Sequence, residues 1–147
     1  MFATAIQQAC LRMPDYRSRS PLPRRLVLGF VALWFSIGGV CHFMFTDAFA
    51  SIVPPSIPSP YAMVYLSGFF ELLGVIGLVS RLTRRYAGWG LALLTVAVTP
   101  ANVYMWQHAT LFPSVPPGLL LARLPFQALL IVGIVWATCD RRPGDLA

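Results

Sequence analysis

Five polar side chains set in long apolar surroundings could do chemistry: His42, Glu71, Asn102, Arg123 and Gln127. Glu71 is the sole charge between Tyr61 and Ser80. Twenty helical residues rise about 30 Å, the thickness of a bilayer's hydrocarbon core. Its carboxyl then lies near mid-depth, where an unpaired charge is costly and an ionisable group marks a candidate site. Arg123 and Gln127 are spaced i, i+4 and share one face of a helix. A buried carboxylate and a buried guanidinium are each costly alone and far less so together. The expected centre is therefore an Arg123–Glu71 contact, direct or through Gln127 or a water. Its chemistry would be binding of an anionic or quinone-like ligand, or proton relay. The competing reading is a polar clasp that fixes helix register and does no chemistry.

Four apolar runs must position these residues: 26–45, 61–80, 86–106 and 118–138. At 1.5 Å per residue, Glu71 lies ~15 Å below the outer surface, Gln127 ~13 Å, Arg123 ~7 Å, Asn102 ~6 Å and His42 ~5 Å. All five fall in the outer half. Gly68, Gly74 and Gly77, with Ser67, give the second run a small-residue face that lets neighbouring helices approach the carboxyl. Pro100 removes a helical donor and predicts a kink in the third run, and Pro125 predicts one near Ala122 in the fourth.

Between the runs lie two arginine-free, proline-rich loops, 46–60 and 107–117. Pro54, Pro55, Pro58 and Pro60 favour an extended path. Phe49, Ile52, Val53 and Ile57 in the first loop are apolar enough to fold back over the mouth of the helices. His108, in the second loop, is expected to be solvated. Residues 1–25 form an Arg-rich head read as a cytoplasmic tail, with a mitochondrial presequence as the alternative. Pro14, Pro21 and Pro23 argue against a continuous helix there. Ala48-Phe49-Ala50 has the shape of a signal-peptidase site, but the preceding run exceeds a signal h-region, so an uncleaved anchor is expected.

The 147 residues are 57% hydrophobic and 11% charged, with net charge +6. Ordinary soluble domains carry about 25% charged residues. All eleven basic residues are arginines, and ten of them fall in the N-terminal head, the 81–85 loop and the tail from residue 139. That distribution flanks apolar runs instead of forming a basic stripe, which disfavours nucleic-acid binding. By the positive-inside rule both termini are cytoplasmic. The expected architecture is all-α: a four-transmembrane-helix, up-down-up-down bundle in the plasma membrane, with the lipid bilayer as its first partner. Cys10, Cys41 and Cys139 form no CxxC, and two His with one Glu on separate elements lack metal-ligand spacing. No hydrolase, kinase or phosphate-loop motif is present.

Several blocks together resemble the DoxX-like family of small integral membrane proteins. They are His42-Phe43, residues 49–55 (Phe49 to Pro55), Val64-Tyr65-Leu66-Ser67-Gly68 with Glu71, Arg85 with 87–91, 100–105 from Pro100 to Met105, and Arg123-Leu124-Pro125 with Gln127. The similarity spans roughly residues 34 to 137. It implies a four-helix membrane domain and a membrane subunit or scaffold serving a redox or assembly partner, with no enzyme activity of its own expected. The alternative is a quinone-linked oxidoreductase or its quinone-binding subunit, in which Glu71 moves protons while Arg123, Asn102 and His42 orient the ring. A small-solute permease fits less well, because no inverted repeat is evident.

Overall fold

The structure, a computed structural model, describes residues 21–113 and 115–139. Expectations placed on the head before residue 21 and on Arg141 and Arg142 lie outside those residues. Among the described residues the order is α1 (Pro21–Met44), α2 (Thr46–Ser51), α3 (Pro60–Val79), α4 (Arg84–Ala97), α5 (Thr99–Gln107), a 3-10 turn (Ala109–Leu111) and α6 (Pro117–Thr138). Four segments are long and apolar enough to cross a membrane: Leu22–Met44, Pro60–Val79, Arg84–Gln107 and Pro117–Thr138.

The apolar runs locate these helices to within a few residues, and the differences have local causes. α1 starts five residues before the expected Leu26, because Pro21 and Pro23 sit in its first turn, where no helical N–H is needed. The third run divides at Val98, where α4 ends and α5 begins with Thr99 and Pro100. α6 continues through Pro125 without a break in its assignment. The first proline loop is not extended throughout: its first residues form α2, and the chain turns only where the prolines begin.

α1 packs against α3, α3 against α4, α4 against α6, and α6 back against α1. Two apolar clusters fill the space they enclose. One joins Val31, Phe35, Leu78, Leu91, Ala92, Leu130 and Ile134. The other joins Ile52, Met105 and Leu120, with Phe49, Phe112 and Val115 of the loops packed on it. The proline loops therefore do cover one end, here called the loop end, as their apolar residues led us to expect. At the opposite end, the turn end, arginines serve as helix caps. Nε of Arg84 donates to the Leu78 carbonyl at 2.9 Å and Nε of Arg24 to that of Ala137 at 2.8 Å. A cation at a helix C-terminus satisfies open carbonyls and meets the negative end of the helix dipole.

The outward faces are as apolar as the interior. Leu33, Ile76, Leu93 and Leu129 are each more than 60% exposed, one on each long segment. Only 17–28% of the residues in each apolar window are buried.

Candidate functional site

Each long helix carries a polar stretch next to its part of the first apolar cluster. On α3, Ser67 and Glu71 precede Leu78; on α4, Thr95 follows Ala92; on α6, Gln127 lies between Leu120 and Leu130; on α1, Gly38 and His42 follow Phe35. Ser67, Glu71, Thr95 and Gln127 are all more than nine-tenths buried. Polar atoms in such surroundings need partners, and the helices supply them unevenly.

The α1–α3 seam is the closest approach in this layer. A Cβ on Gly39 would stand 3.2 Å from the Gly68 carbonyl oxygen, and one on Gly68 would stand 3.1 Å from that of Gly39. Glycines at both positions let the two backbones meet. At the adjacent residue of α1, a Cβ on Gly38 would lie 2.8 Å from Oε2 of Glu71. The absence of a side chain at Gly38 is what gives the carboxylate room against α1.

His42 reaches Glu71 across this seam. Its Nε2 lies 3.5 Å from Oε1 of Glu71, with both side chains almost enclosed. The Phe49 ring from α2 covers the imidazole, ring centres 4.2 Å apart. This separation exceeds a good hydrogen bond, so the two groups face one another as an ion pair when the imidazole carries a proton.

No direct Arg123–Glu71 ion pair forms among the described residues. Nη1 of Arg123 instead donates to Sδ of Met105 at 3.2 Å, and Arg123 belongs with the exposed side of α6. Spacing i, i+4 with Gln127 puts two residues on nearby parts of one helix surface, but a turn of 40° separates a buried position from an open one. Gln127 takes the inward place, and its Nε2 donates to the Thr95 carbonyl at 3.2 Å. That carbonyl also accepts the Thr99 hydroxyl at 3.1 Å, beside the break at Val98. Asn102 is half-buried and makes no side-chain hydrogen bond among the described residues. His108 is exposed, with Nδ1 3.0 Å from the Tyr104 carbonyl oxygen.

Of the five expected residues the structure thus joins His42 with Glu71, sets Gln127 in the same polar layer, and turns Arg123 away. The small residues Gly38, Gly39 and Gly68 carried the signal for the His42–Glu71 pairing, since they mark where α1 and α3 can touch. Three buried atoms of the layer have no hydrogen-bond partner among the described residues: Oε2 of Glu71, Nδ1 of His42 and Oε1 of Gln127. A facing carboxylate and imidazole can pass a proton, and three open positions on three helices can receive donors from a ligand. Among the described residues no third His, Cys, Asp or Glu joins His42 and Glu71 in a metal-binding group. Cys41 is a free thiol, and Cys139 is disulfide-bonded.

These features define a helical protein with an apolar exterior and one enclosed acid–imidazole pair. Residues 31–139 match the family described as a domain of unknown function (DUF8561), and the chain belongs to that family. No curated protein and no solved structure matches it.

Proposed function

We propose that this is a multi-pass plasma-membrane protein of DoxX-like type that acts as a membrane subunit or scaffold for a redox or assembly partner. In this reading the helices form an up-down-up-down bundle with both termini and the Arg84 turn in the cytoplasm. The carrying observation is the exterior: each long segment exposes large aliphatic side chains that water would penalise and lipid would not. Arg24 beside Ala137, and Gly38 beside Glu71 with His42 beside Gly68, support opposite directions for neighbouring helices. Under this reading the His42–Glu71 pair chiefly fixes the α1–α3 register, the role that buried polar groups serve where packing alone leaves alternatives. The test is chemical crosslinking in native membranes. A stable partner should be captured equally by the wild type and by Glu71→Gln. Failure to capture any protein at stoichiometric yield would overturn the scaffold.

A second reading, a quinone-linked oxidoreductase or its quinone-binding subunit, draws support from the three unpartnered atoms on Glu71, His42 and Gln127. A reduced ring offers hydroxyl donors to such acceptors; where a redox partner protein takes the two electrons, one of the two protons released passes to Glu71 beside His42 and the other to solvent. Mass spectrometry of the purified protein separates the two readings. Quinone bound to the wild type and lost in Glu71→Gln supports the oxidoreductase, and quinone absent from both removes it.

A further inference from the structure

Arg123 is the charge that the polar layer leaves out. The described part of the chain contains two carboxylates, Asp47 and Glu71. Glu71 faces His42 at 3.5 Å, and Asp47 accepts the Tyr61 hydroxyl at 3.1 Å. Neither meets Arg123. The protein offers its guanidinium a thioether sulfur, Sδ of Met105 at 3.2 Å, which is a weak acceptor. Most of the five N–H donors of this group therefore have no partner among the described residues. A cation in an apolar segment is costly unless it reaches an anion or the interface.

Its position says which anion can reach it. Arg123 stands six residues into α6, about 9 Å from the start of the helix. The side chain extends to the level of Met105, close to the end of α5, so the guanidinium approaches the rim of the loop end. Leu119, one turn earlier on the same face, is 60% exposed. The opening is therefore lateral, among side chains that suit acyl chains. Flexible arginine stems lie along apolar surface and carry the charged head to the interface. A guanidinium presents paired donors that match a phosphate in bidentate fashion.

We propose that Arg123 holds the phosphate of a membrane lipid, making the Arg123–Met105 corner a headgroup site on the loop-end side of α6. The site rests on the membrane reading given above and is independent of the His42–Glu71 pair. It would be a specific contact on a side of the molecule with no other arginine among the described residues, opposite the Arg24, Arg25, Arg81, Arg84 and Arg85 group.

Native mass spectrometry of the detergent-solubilised full chain, titrated with phosphatidylglycerol, tests this. The arginines of the turn end also attract anionic lipid, so the comparison is between chains differing at residue 123 alone. The wild type is expected to hold one more tightly bound lipid than Arg123→Gln, with that lipid's affinity reduced at least about fivefold in the variant. Arg123→Lys, which keeps the charge but not the paired donors, should bind that lipid more tightly than Arg123→Gln and less tightly than the wild type, and this intermediate affinity separates loss of the site from misfolding. Equal lipid binding by wild type and Arg123→Gln overturns the proposal. Displacement of the lipid by millimolar inorganic phosphate also overturns it, by assigning the site to a soluble anion. Carbonate extraction of membranes reports separately on the crossing helices: a wild-type chain released by carbonate would sink the membrane reading itself.

Discussion

The two ends of the helical assembly handle charge in opposite ways. At the turn end, Arg24 and Arg84 cap the carbonyls of Ala137 and Leu78, and the cluster from Val31 to Ile134 is apolar, with the buried Thr138 hydroxyl bonded to the Ile134 carbonyl and Trp89 Nε1 unpartnered among the described residues. Charge there lies at helix termini, where backbone dipoles receive it. Toward the loop end, charge and amide groups are drawn inside: His42 against Glu71, Gln127 against Thr95, with three polar atoms unmatched. Polar groups at helix ends can be satisfied by local geometry alone. Polar groups in mid-helix require a particular neighbour at a particular rotation, so this half of the molecule is the place to look for chemistry or for register control.

Breaking the pair should have the largest effect. His42→Leu leaves Glu71 buried without a counter-group, and the expected loss is about 3–5 kcal/mol, read as a fall in thermal midpoint. The double variant His42→Leu/Glu71→Leu should recover most of that loss, because paired apolar replacements of buried ion pairs are often neutral. A double variant no more stable than His42→Leu would show that the pair does not act as a unit. The aliphatic half should respond through volume instead: Ile134→Ala, at a fully buried position, is expected to cost about 2–4 kcal/mol by leaving a cavity. Gly38→Ala probes the seam directly. Its new methyl would press on Oε2 of Glu71, and a cost of about 1–3 kcal/mol is expected. Gln127→Leu removes the amide that meets the Thr95 carbonyl, for about 1 kcal/mol. The smallest effect belongs to Ser59→Gly. Ser59 precedes α3 with φ at 54°, a left-handed conformation that glycine adopts freely, so this change should stabilise by up to about 1 kcal/mol.

Much of the fold was legible because hydropathy and proline act locally. The four apolar runs mark the long helices, Pro100 marks the division at Val98, and Phe49 and Ile52 mark a loop that folds back. Glu71 and Gln127, expected to be enclosed by the helices, are both buried. Which groups face each other was not. Arg123 was the natural partner for Glu71 on charge alone, but pairing depends on how far each helix is turned about its axis. The rotation of α1 relative to α3 is set by backbone contact at Gly39 and Gly68, and it delivers His42 instead. The proline-rich loop likewise hid α2, since Thr46–Ser51 precedes the prolines that suggested an extended chain.

The division at Val98 splits the third long segment into pieces with different allegiances. α4 is seated among Leu78, Leu130 and Ile134, whereas α5 leans on α6, linked by Met105 to Arg123. The amide of Gln127, also from α6, fastens the joint itself. α6 therefore bridges the division, packing Leu130 and Ile134 against α4 and reaching α5 through Arg123. Met105 and Phe49 belong to one apolar cluster, so the partner of Arg123 and the ring that covers the imidazole are packed together.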